Sequence, residues 1–339
     1  MLHVGLDLCR TRLDVHVMDE SGAAVAVITA TPDTDGLAVL AARLAGQSVS
    51  AAIESMTGAR FVHDQLEVAG WDVAIADAAK VKGLAPLACK TDKIDAWVLA
   101  ELSRRDFVPE IWLPTPGVRA EREQARWRLH LVKHRTALKN RIHSTLLTYG
   151  HPCPVSDLFG IAGRALLERM ELPEPWAEHV TAALRLIEEL DVEITACDKK
   201  LAAVAKTHPY VSLLQTVPGI GPVLGLTIAS EIGDITRFAT PRKLVGYTGL
   251  CPRVYQSGST DHRGPLAKNG PKYLRWALIE ATFHAARHPA YRDRFERTRK
   301  RLGKHRGKKV ARVELARTLA EAIWHMLQNG TEFTPTRAA

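Results

Sequence analysis

The sequence predicts a mixed α/β unit at the front of the chain and a mainly α-helical remainder. Short apolar stretches bounded by turn residues fill residues 1–112, whereas long stretches free of Gly and Pro fill much of the rest. Residues 1–112 hold 10 Lys and Arg against 16 Asp and Glu, but residues 113–339 hold 36 against 21. This separation of charge predicts a catalytic unit joined to a unit that binds a polyanion, with nucleic acid as the leading candidate.

The composition of the 339 residues is that of a globular protein, with 46% hydrophobic and 24% charged residues. No stretch reaches the ~18 uncharged apolar residues that a membrane span needs. The first residues contain acids where an export signal would have an apolar run. The five cysteines are scattered and form no CxxC pair, which argues against a disulfide framework and a zinc site. We therefore expect a cytoplasmic protein.

The order of the predicted elements in residues 1–112 indicates a single mixed sheet. Three strands in hairpin succession come first, and two further strands then alternate with helices. A hairpin start followed by βαβ connections requires both antiparallel and parallel pairs. This is the order of the RNase H-like fold. The predicted strands are 2–8, 13–18, 23–31, 48–53 and 71–76, and the predicted helices are 35–44, 60–69 and 93–107.

Four acids in this unit are candidates for one site. Asp7 lies within a buried strand, where an unpaired carboxylate costs several kcal/mol, so it needs a cation or a hydrogen-bond network. Glu54 ends the fourth strand, which neighbours the first in such a sheet. Asp92 and Asp95 are three residues apart at a helix start, a spacing that places both on one face, although many solvated helices carry such pairs. Four converging carboxylates predict a Mg²⁺ site for phosphoryl transfer.

Residues 113–206 predict an antiparallel hairpin of two long helices, at 119–147 and 176–206, which would serve as a coiled coil or spacer arm. The first of these helices has one strongly basic face, which includes Arg126 and Lys133. Such a face is either simply solvated or laid along phosphates, where binding depends on salt. We expect Arg126 and Lys133 to contact nucleic acid.

Residues 207–330 contain two further candidate elements, ahead of a short tail at 331–339. Gly219 and Gly221 lie between apolar helices and predict a helix-hairpin-helix that grips a nucleic-acid backbone, the alternative being a plain turn. A polar loop at 255–260 follows, near basic residues that are candidate nucleic-acid contacts. These residues are Arg253, Arg263, Lys268 and Lys272. Residues 287–312 then hold 12 Lys and Arg, a bias that favours nucleic acid.

Several of these segments carry a resemblance to a known family. VGLDLCRTRLDVHVMDESG, AIESMTG and KTDKIDA resemble the RuvC-like N-terminal domain of the DEDD insertion-sequence transposases, a family also known for bridge-RNA-guided recombination. VPGIGPVLGLTIASEIG, GLCPRVYQSGS and KNGPKYLRWAL are similar to its C-terminal domain. The resemblance implies that the four family acids match Asp7, Glu54, Asp92 and Asp95. It also implies that Ser257 is the nucleophile, with Ser259 as second choice.

The resemblance implies a DNA transposase or recombinase that cuts and rejoins DNA through a serine–DNA link, at a composite site shared by the acids, Mg²⁺ and the serine. It further implies a structured noncoding RNA that pairs with donor and target DNA, and a homodimer that assembles to a tetramer. Three alternatives stay open on the sequence alone. They are a DNA invertase of the same family, a RuvC-like junction nuclease that uses water, and an inactive nucleic-acid-binding protein.

Overall fold

The computed structural model describes residues 1–84, 92–151, 153–258 and 260–334, without the side chains of residues 92, 93 and 263. The chain divides into two compact units, Met1–Leu113 and Pro114–Ala339. The break falls within one residue of the expected end of the front unit. The further division of the remainder at residue 206 stays a prediction.

The first unit is built on a five-stranded sheet in the order β3-β2-β1-β4-β5. The β1–β2 and β2–β3 pairs are antiparallel, and the β1–β4 and β4–β5 pairs are parallel. This mixed sheet is consistent with the RNase H-like fold that the sequence predicts. The strands are β1 (Leu2–Leu8), β2 (Leu13–Met18), β3 (Ala24–Ala30), β4 (Val49–Glu54) and β5 (Asp72–Ala76), and the helices are α1 (Thr34–Arg43), α2 (Ala59–Val68), α3 (Ala78–Leu84) and α4 (Asp92–Arg104).

Two apolar layers cover the two faces of this sheet, because successive strand residues point to opposite sides. Val4, Leu6 and Leu8 of β1 pack in one core with residues of α1 and α2. Ala52 of β4 belongs instead to a smaller core on the other face, together with α4 residues such as Leu99. Asp7 lies between Leu6 and Leu8, and Glu54 follows Ile53, and these three apolar residues point into the first core. Asp7 and Glu54 therefore lie on the opposite face of the sheet, which α4 covers.

The second unit is mainly helical. The long helices α5 (Pro116–Thr148) and α7 (Trp176–Thr207) pack antiparallel, as the ion pairs Arg128–Asp198 and Arg135–Asp191 show. A coiled-coil description of this pair stays a prediction. The other elements are α6 (Ile161–Glu168), α8 (Pro209–Leu214), α9 (Pro222–Ile232), α10 (Pro241–Tyr247), β6 (Pro252–Ser257), β7 (Thr260–Leu266), α11 (Lys272–Ala285) and α12 (Pro289–Asn329).

Three expectations from the sequence are wrong in detail. The segment around Ser257, expected to be a loop, forms an antiparallel two-stranded ribbon of β6 and β7. The helix expected to begin at residue 119 begins at Pro116, since proline is well tolerated in a first turn, where its missing N–H has no partner to lose. The short helices α3 and α6 were not expected, because each is too short to show a clear apolar period.

Candidate active site

Asp7 and Glu54 end up on one face of the sheet through strand pairing. The parallel register pairs Leu6 with Ile53, so Asp7 and Glu54 come next on neighbouring strands. Both side chains are half-buried. Since Leu6 and Ile53 point into the opposite core, the two carboxylates point to the side covered by α4. The structure therefore places two of the four predicted acids side by side in register.

The position of α4 brings the third acid to the same end of the face. A Cβ atom added at Gly5 would collide with the carbonyl oxygen of Ala96 and the amide of Ala100, so β1 and α4 are in backbone contact there. At the other end of the helix, His3 Nδ1 lies 3.2 Å from Ser103 Oγ. The helix thus runs antiparallel to β1 and directs its first turn toward Asp7. Asp95, which directly precedes Ala96, lies in this first turn.

Asp92 begins α4, but its side chain lies outside the described part of the chain. The two histidines on this face of the sheet do not add charge to it. Burial lowers the pKa of His16, and burial together with the N-terminal ammonium group lowers the pKa of His3. Both rings are therefore mainly neutral near pH 7, because an unperturbed histidine titrates at about 6.5.

A fifth acid on this face was missed from the sequence. Asp14 is 4% exposed and lies directly opposite Asp7 in the antiparallel β1–β2 pair. Its carboxylate accepts a hydrogen bond from Arg12 Nε at 2.8 Å and another from Thr29 Oγ1 at 3.5 Å. No signal in the sequence indicated its burial, because a charged residue between Leu13 and Val15 in an alternating strand looks like an ordinary solvent-facing residue. The sheet face that carries Asp7 and Glu54 is called the acid face from here on. The pairing of Asp14 with Arg12 indicates a supporting role at the edge of this face.

The chemistry of this donor set fits a divalent cation, because Asp7, Glu54 and Asp95 all offer the hard oxygen ligands that Mg²⁺ prefers. Among the residues with described side chains, no three His, Cys, Asp or Glu groups are placed closely enough to hold a metal ion. The Asp92 carboxylate, the fourth candidate ligand, is outside that set. The assignment of Mg²⁺ to these four acids stays a proposal.

Ser257 lies at the end of the β6–β7 ribbon. It is exposed and pairs with Thr260 across the turn, in which Gly258 takes a left-handed conformation with φ 58°. Tyr255, two residues earlier on the same face of the ribbon, is 70% exposed. Ser259, the second candidate nucleophile, lies outside the described residues. The ribbon therefore presents the exposed Ser257 at its tip.

The base of this ribbon is fixed by backbone contacts that require glycine. A Cβ atom at Gly249 would collide with the carbonyl of Asn269, and one at Gly270 would collide with the carbonyl of Tyr247. Arg275 Nη1 donates to the carbonyl of Thr248 at 3.1 Å and so links the ribbon base to α11. These contacts hold the two ends of the ribbon together, while its tip extends into solvent.

Comparison with known proteins identifies the chain. A family model described as "Transposase IS116/IS110/IS902 family" matches residues 211–297. A second model, described as "Transposase" and named for the DEDD transposases of IS110, matches residues 4–151 and so contains the sheet that carries Asp7 and Glu54. The chain belongs to the IS116/IS110/IS902 family of transposases. Membership implies an enzyme that cuts and rejoins DNA for an insertion sequence.

Relatives along most of the chain have related names. A "Probable family 20 transposase" of Pseudomonas aeruginosa is 28% identical over 73% of this chain and 74% of its own length. The "Transposase for insertion sequence element IS1328" of Yersinia enterocolitica is 27% identical over 84% of this chain and 85% of its own length. The "Transposase for insertion sequence element IS1111A" of Coxiella burnetii is 30% identical over 70% of this chain and 66% of its own length.

Four basic residues near the ribbon of this transposase were expected to contact nucleic acid. Arg253 on β6 is exposed, and Lys272 at the start of α11 lies with its ammonium group 5.1 Å from the centre of the Tyr273 ring. Lys268 has an exposed side chain and a left-handed backbone, φ 56°, and its amide donates to the carbonyl of Gly249 at 3.1 Å. The Arg263 side chain is outside the described set. A contact between any of these residues and nucleic acid stays a prediction.

The Gly219–Gly221 turn of the transposase joins α8 to α9, as the sequence predicts. Gly219 has φ 91°, and a Cβ atom there would collide with the carbonyl of Ala281 and with His284. Gly221 caps the N-terminus of α9 with an extended backbone. Packing against α11 therefore explains why residue 219 is glycine. Binding of a nucleic-acid backbone by a helix-hairpin-helix at this turn stays a prediction.

Arg126, which the sequence predicts to contact nucleic acid, has a guanidinium that forms an ion pair within the protein, and its contact with nucleic acid stays a prediction. Arg126 Nε lies 2.7 Å from Glu231 Oε1, and Glu231 is 1% exposed. The sequence could not show this, since the two residues are 105 positions apart. Lys133, on the same helix, is exposed and stays a candidate contact.

No helix in the described part of the chain is both long and apolar enough to cross a membrane.

Proposed function

We propose that this transposase cuts and rejoins DNA through a covalent link to Ser257, with Mg²⁺ held by Asp7, Glu54, Asp92 and Asp95. The observation that carries the acid half of the proposal is the backbone contact of Gly5 with Ala96. This contact directs the first turn of α4 toward the face that carries Asp7 and Glu54. The exposed position of Ser257 at the tip of the β6–β7 ribbon supports the other half, because a nucleophile for DNA has to be accessible.

In the proposed reaction, the Ser257 oxygen forms a bond to a DNA phosphorus atom while one phosphorus–oxygen bond of the backbone breaks. The serine proton ends on the departing oxygen, which leaves as a deoxyribose hydroxyl. When bound, Mg²⁺ would supply Lewis acidity at the phosphate. Rejoining is the reverse attack by a different hydroxyl, so the energy of the phosphodiester is kept in the serine ester. Because the acids and Ser257 belong to different units of the chain, both units have to act on one DNA strand.

We also propose that a structured noncoding RNA guides the transposase and that it works as a homodimer assembling to a tetramer. The support is the family resemblance together with the excess of basic residues after residue 112. Purifying the chain from its host and sequencing the RNA that accompanies it tests the first point. A defined RNA, encoded beside the gene, is the expected result, whereas a random sample of cellular RNA would contradict the proposal.

A covalent trap tests the role of Ser257. End-labelled DNA carrying the ends of the element is incubated with the full chain, and protein-linked label is measured after denaturation. We expect linked label with the native chain and with Ser212→Ala, an exposed serine of α8, but none with Ser257→Ala. Cleavage that persists in Ser257→Ala without linked label would instead support the junction nuclease that uses water. Linked label that survives in Ser257→Ala and is lost in Ser259→Ala would move the nucleophile by two residues.

A further inference from the structure

The last long helix reverses direction within its length. The backbone of α12 leaves the helical conformation at Gly303, with φ 73° and ψ −178°. On a straight helix, residues 20 positions apart are separated by about 30 Å. Arg294 Nη2 nevertheless lies 3.0 Å from Glu314 Oε1. Residues 289–302 and 304–329 therefore form two arms of a helical hairpin whose tip is at Gly303.

Specific contacts close this hairpin. A Cβ atom at Gly307 would collide with the carbonyl of Arg299, so the two arms touch through their backbones just below the tip. Glu314 receives hydrogen bonds from Arg294 and, at 2.9 Å, from Thr298 Oγ1. Tyr291, which is 5% exposed, lines a small gap between the arms together with Leu315. The turn is thus a packed feature of the fold.

The tip concentrates the positive charge of the chain. Residues 297–313 contain nine Lys and Arg and no Asp or Glu. Six of these cations have exposed side chains close to the turn: Lys300, Arg301, Lys304, Arg306, Lys308 and Lys309. On a straight helix the same residues would be spread around the axis and over many ångströms. The reversal at Gly303 instead gathers them at one end of the helical hairpin.

We propose that this basic tip, residues 299–309, binds the sugar–phosphate backbone of double-stranded DNA without reading its sequence. Flexible lysines and arginines with no acids among them suit phosphate contacts, which position a protein on a duplex but carry no sequence information. DNA is the polymer on which a transposase acts, which favours it over RNA as the occupant. The tip shares no residue with the proposed catalytic groups, and its binding of DNA does not depend on the chemistry proposed for Ser257 and the four acids.

Removing charge from the tip tests the proposal. The variant Lys304→Gln, Lys308→Gln, Lys309→Gln is compared with a control, Lys199→Gln, Lys200→Gln, Lys206→Gln, which removes three exposed lysines from α7. Binding of a random-sequence DNA duplex is measured by fluorescence anisotropy over a range of salt. We expect the tip variant to lose affinity about tenfold at low salt and its salt slope to flatten by about 0.9 for each phosphate that it no longer neutralises. Equal losses in both variants would overturn the proposal.

A second comparison separates the shape of the tip from its charge. Glu314→Gln opens the clamp between the arms and at the same time makes the chain more positive. If charge alone governed binding, this variant would bind DNA at least as tightly as the native chain, whereas the proposal expects weaker binding. Gly303→Ala and Gly303→Val are both expected to bind DNA more weakly than the native chain, because the backbone of Gly303, with φ 73° and ψ −178°, lies in a region that is essentially restricted to glycine.

Further measurements separate DNA binding by the tip from the serine–DNA reaction. The tip variant is expected to form the serine–DNA link when DNA is saturating, so a weaker affinity can be told apart from a failure of the proposed reaction. Circular dichroism and thermal unfolding establish that each variant is folded before its binding is interpreted. A tip variant that loses affinity for an RNA duplex but keeps its affinity for DNA would assign the tip to RNA and contradict the proposal.

Discussion

Arg126 of α5 forms a two-point ion pair with Glu231 of α9. Arg126 Nε lies 2.7 Å from Oε1 and Nη2 lies 3.0 Å from Oε2, while Glu231 is 1% exposed. One turn earlier, Arg122 donates to the carbonyls of Ser230 and Glu231 at 2.7 and 2.9 Å, where α9 ends. Cations at a helix C-terminus also interact favourably with its dipole. These contacts lock the long helix α5 to the core of the second unit.

We expect Arg126→Ala to reduce the free energy of unfolding by about 3–5 kcal/mol, because it leaves the Glu231 carboxylate buried without its partner. Urea unfolding of the full chain measures the effect. Arg185→Ala is the matched control, since Arg185 pairs with Glu189 at 3.9 Å on the surface and such a pair contributes about 0–1 kcal/mol. The double variant Arg126→Met, Glu231→Leu should recover much of the loss. Equal effects of the two single variants would contradict the assigned role.

Gly5→Ala is expected to separate α4 from the sheet. Its new methyl group would meet the carbonyl of Ala96, which is helix backbone and cannot rotate away. Overpacking of this kind costs about 1–3 kcal/mol, and it also displaces Asp95 relative to Asp7. We expect a lower midpoint of thermal unfolding and a loss of DNA cleavage. The control is Gly83→Ala in α3, where an added methyl group meets no atom within 4 Å. Unchanged stability and cleavage in Gly5→Ala would exclude this packing.

Stability at neutral pH is expected to depend on Glu101, and this contribution is expected to disappear at low pH. Hydrogen bonds from Arg104 and Arg105 lower the pKa of this carboxyl to about 2. Because the pKa is lower in the folded state, the stabilisation is complete above the unfolded value of about 4.3 and is lost as the pH falls toward 2. Glu101→Gln should therefore lower the unfolding midpoint at pH 7 but have little effect near pH 2. Glu110→Gln, at an exposed site, is the control, and a difference independent of pH would contradict the assignment.

We expect the effect of Mg²⁺ on DNA cleavage and on stability to require the carboxylates of the acid face. Asp7→Asn should lower DNA cleavage by more than about 100-fold, because it removes a proposed cation ligand. It should also abolish the rise in unfolding midpoint that Mg²⁺ gives the native chain by binding only the folded state. Asp72→Asn, an exposed residue that begins β5, is the control and should retain both properties. A Mg²⁺-dependent rise that survives in Asp7→Asn would place the cation elsewhere.

The sheet of the first unit could be predicted from the sequence because its signals are local. Alternating apolar residues and turn residues mark β1, β2 and β3, and the resulting order constrains which strands can be neighbours. The predicted convergence of Asp7 with Glu54 follows from that order, and the register agrees with it. The involvement of Asp14 was missed, since an acid in an alternating strand looks like an ordinary solvent-facing residue until its burial is known.

The second unit was harder to predict, because its decisive contacts join residues far apart in sequence. Gly303 looks like an isolated glycine within a long helix, and only the pairing of Glu314 with Arg294 reveals a reversal. Gly249 and Gly270 look like loop glycines, although each is required by a backbone contact at the base of the ribbon. The ribbon itself interrupts its alternation with Gly258, Gly264 and Pro265, so its pattern resembles a loop.

The amino-acid sequence alone determined the fold class of the first unit, the separation of charge and the family, because period, composition and motif are properties of neighbouring residues. Only the tertiary structure decided which charges are available to a partner. In the folded protein, the guanidinium of Arg126 pairs with the buried carboxylate of Glu231. The reversal at Gly303 brings the cations on either side of it together at one exposed tip. The physical reason is that burial and long-range packing set the environment of a charged side chain, and neither is encoded in the residues beside it.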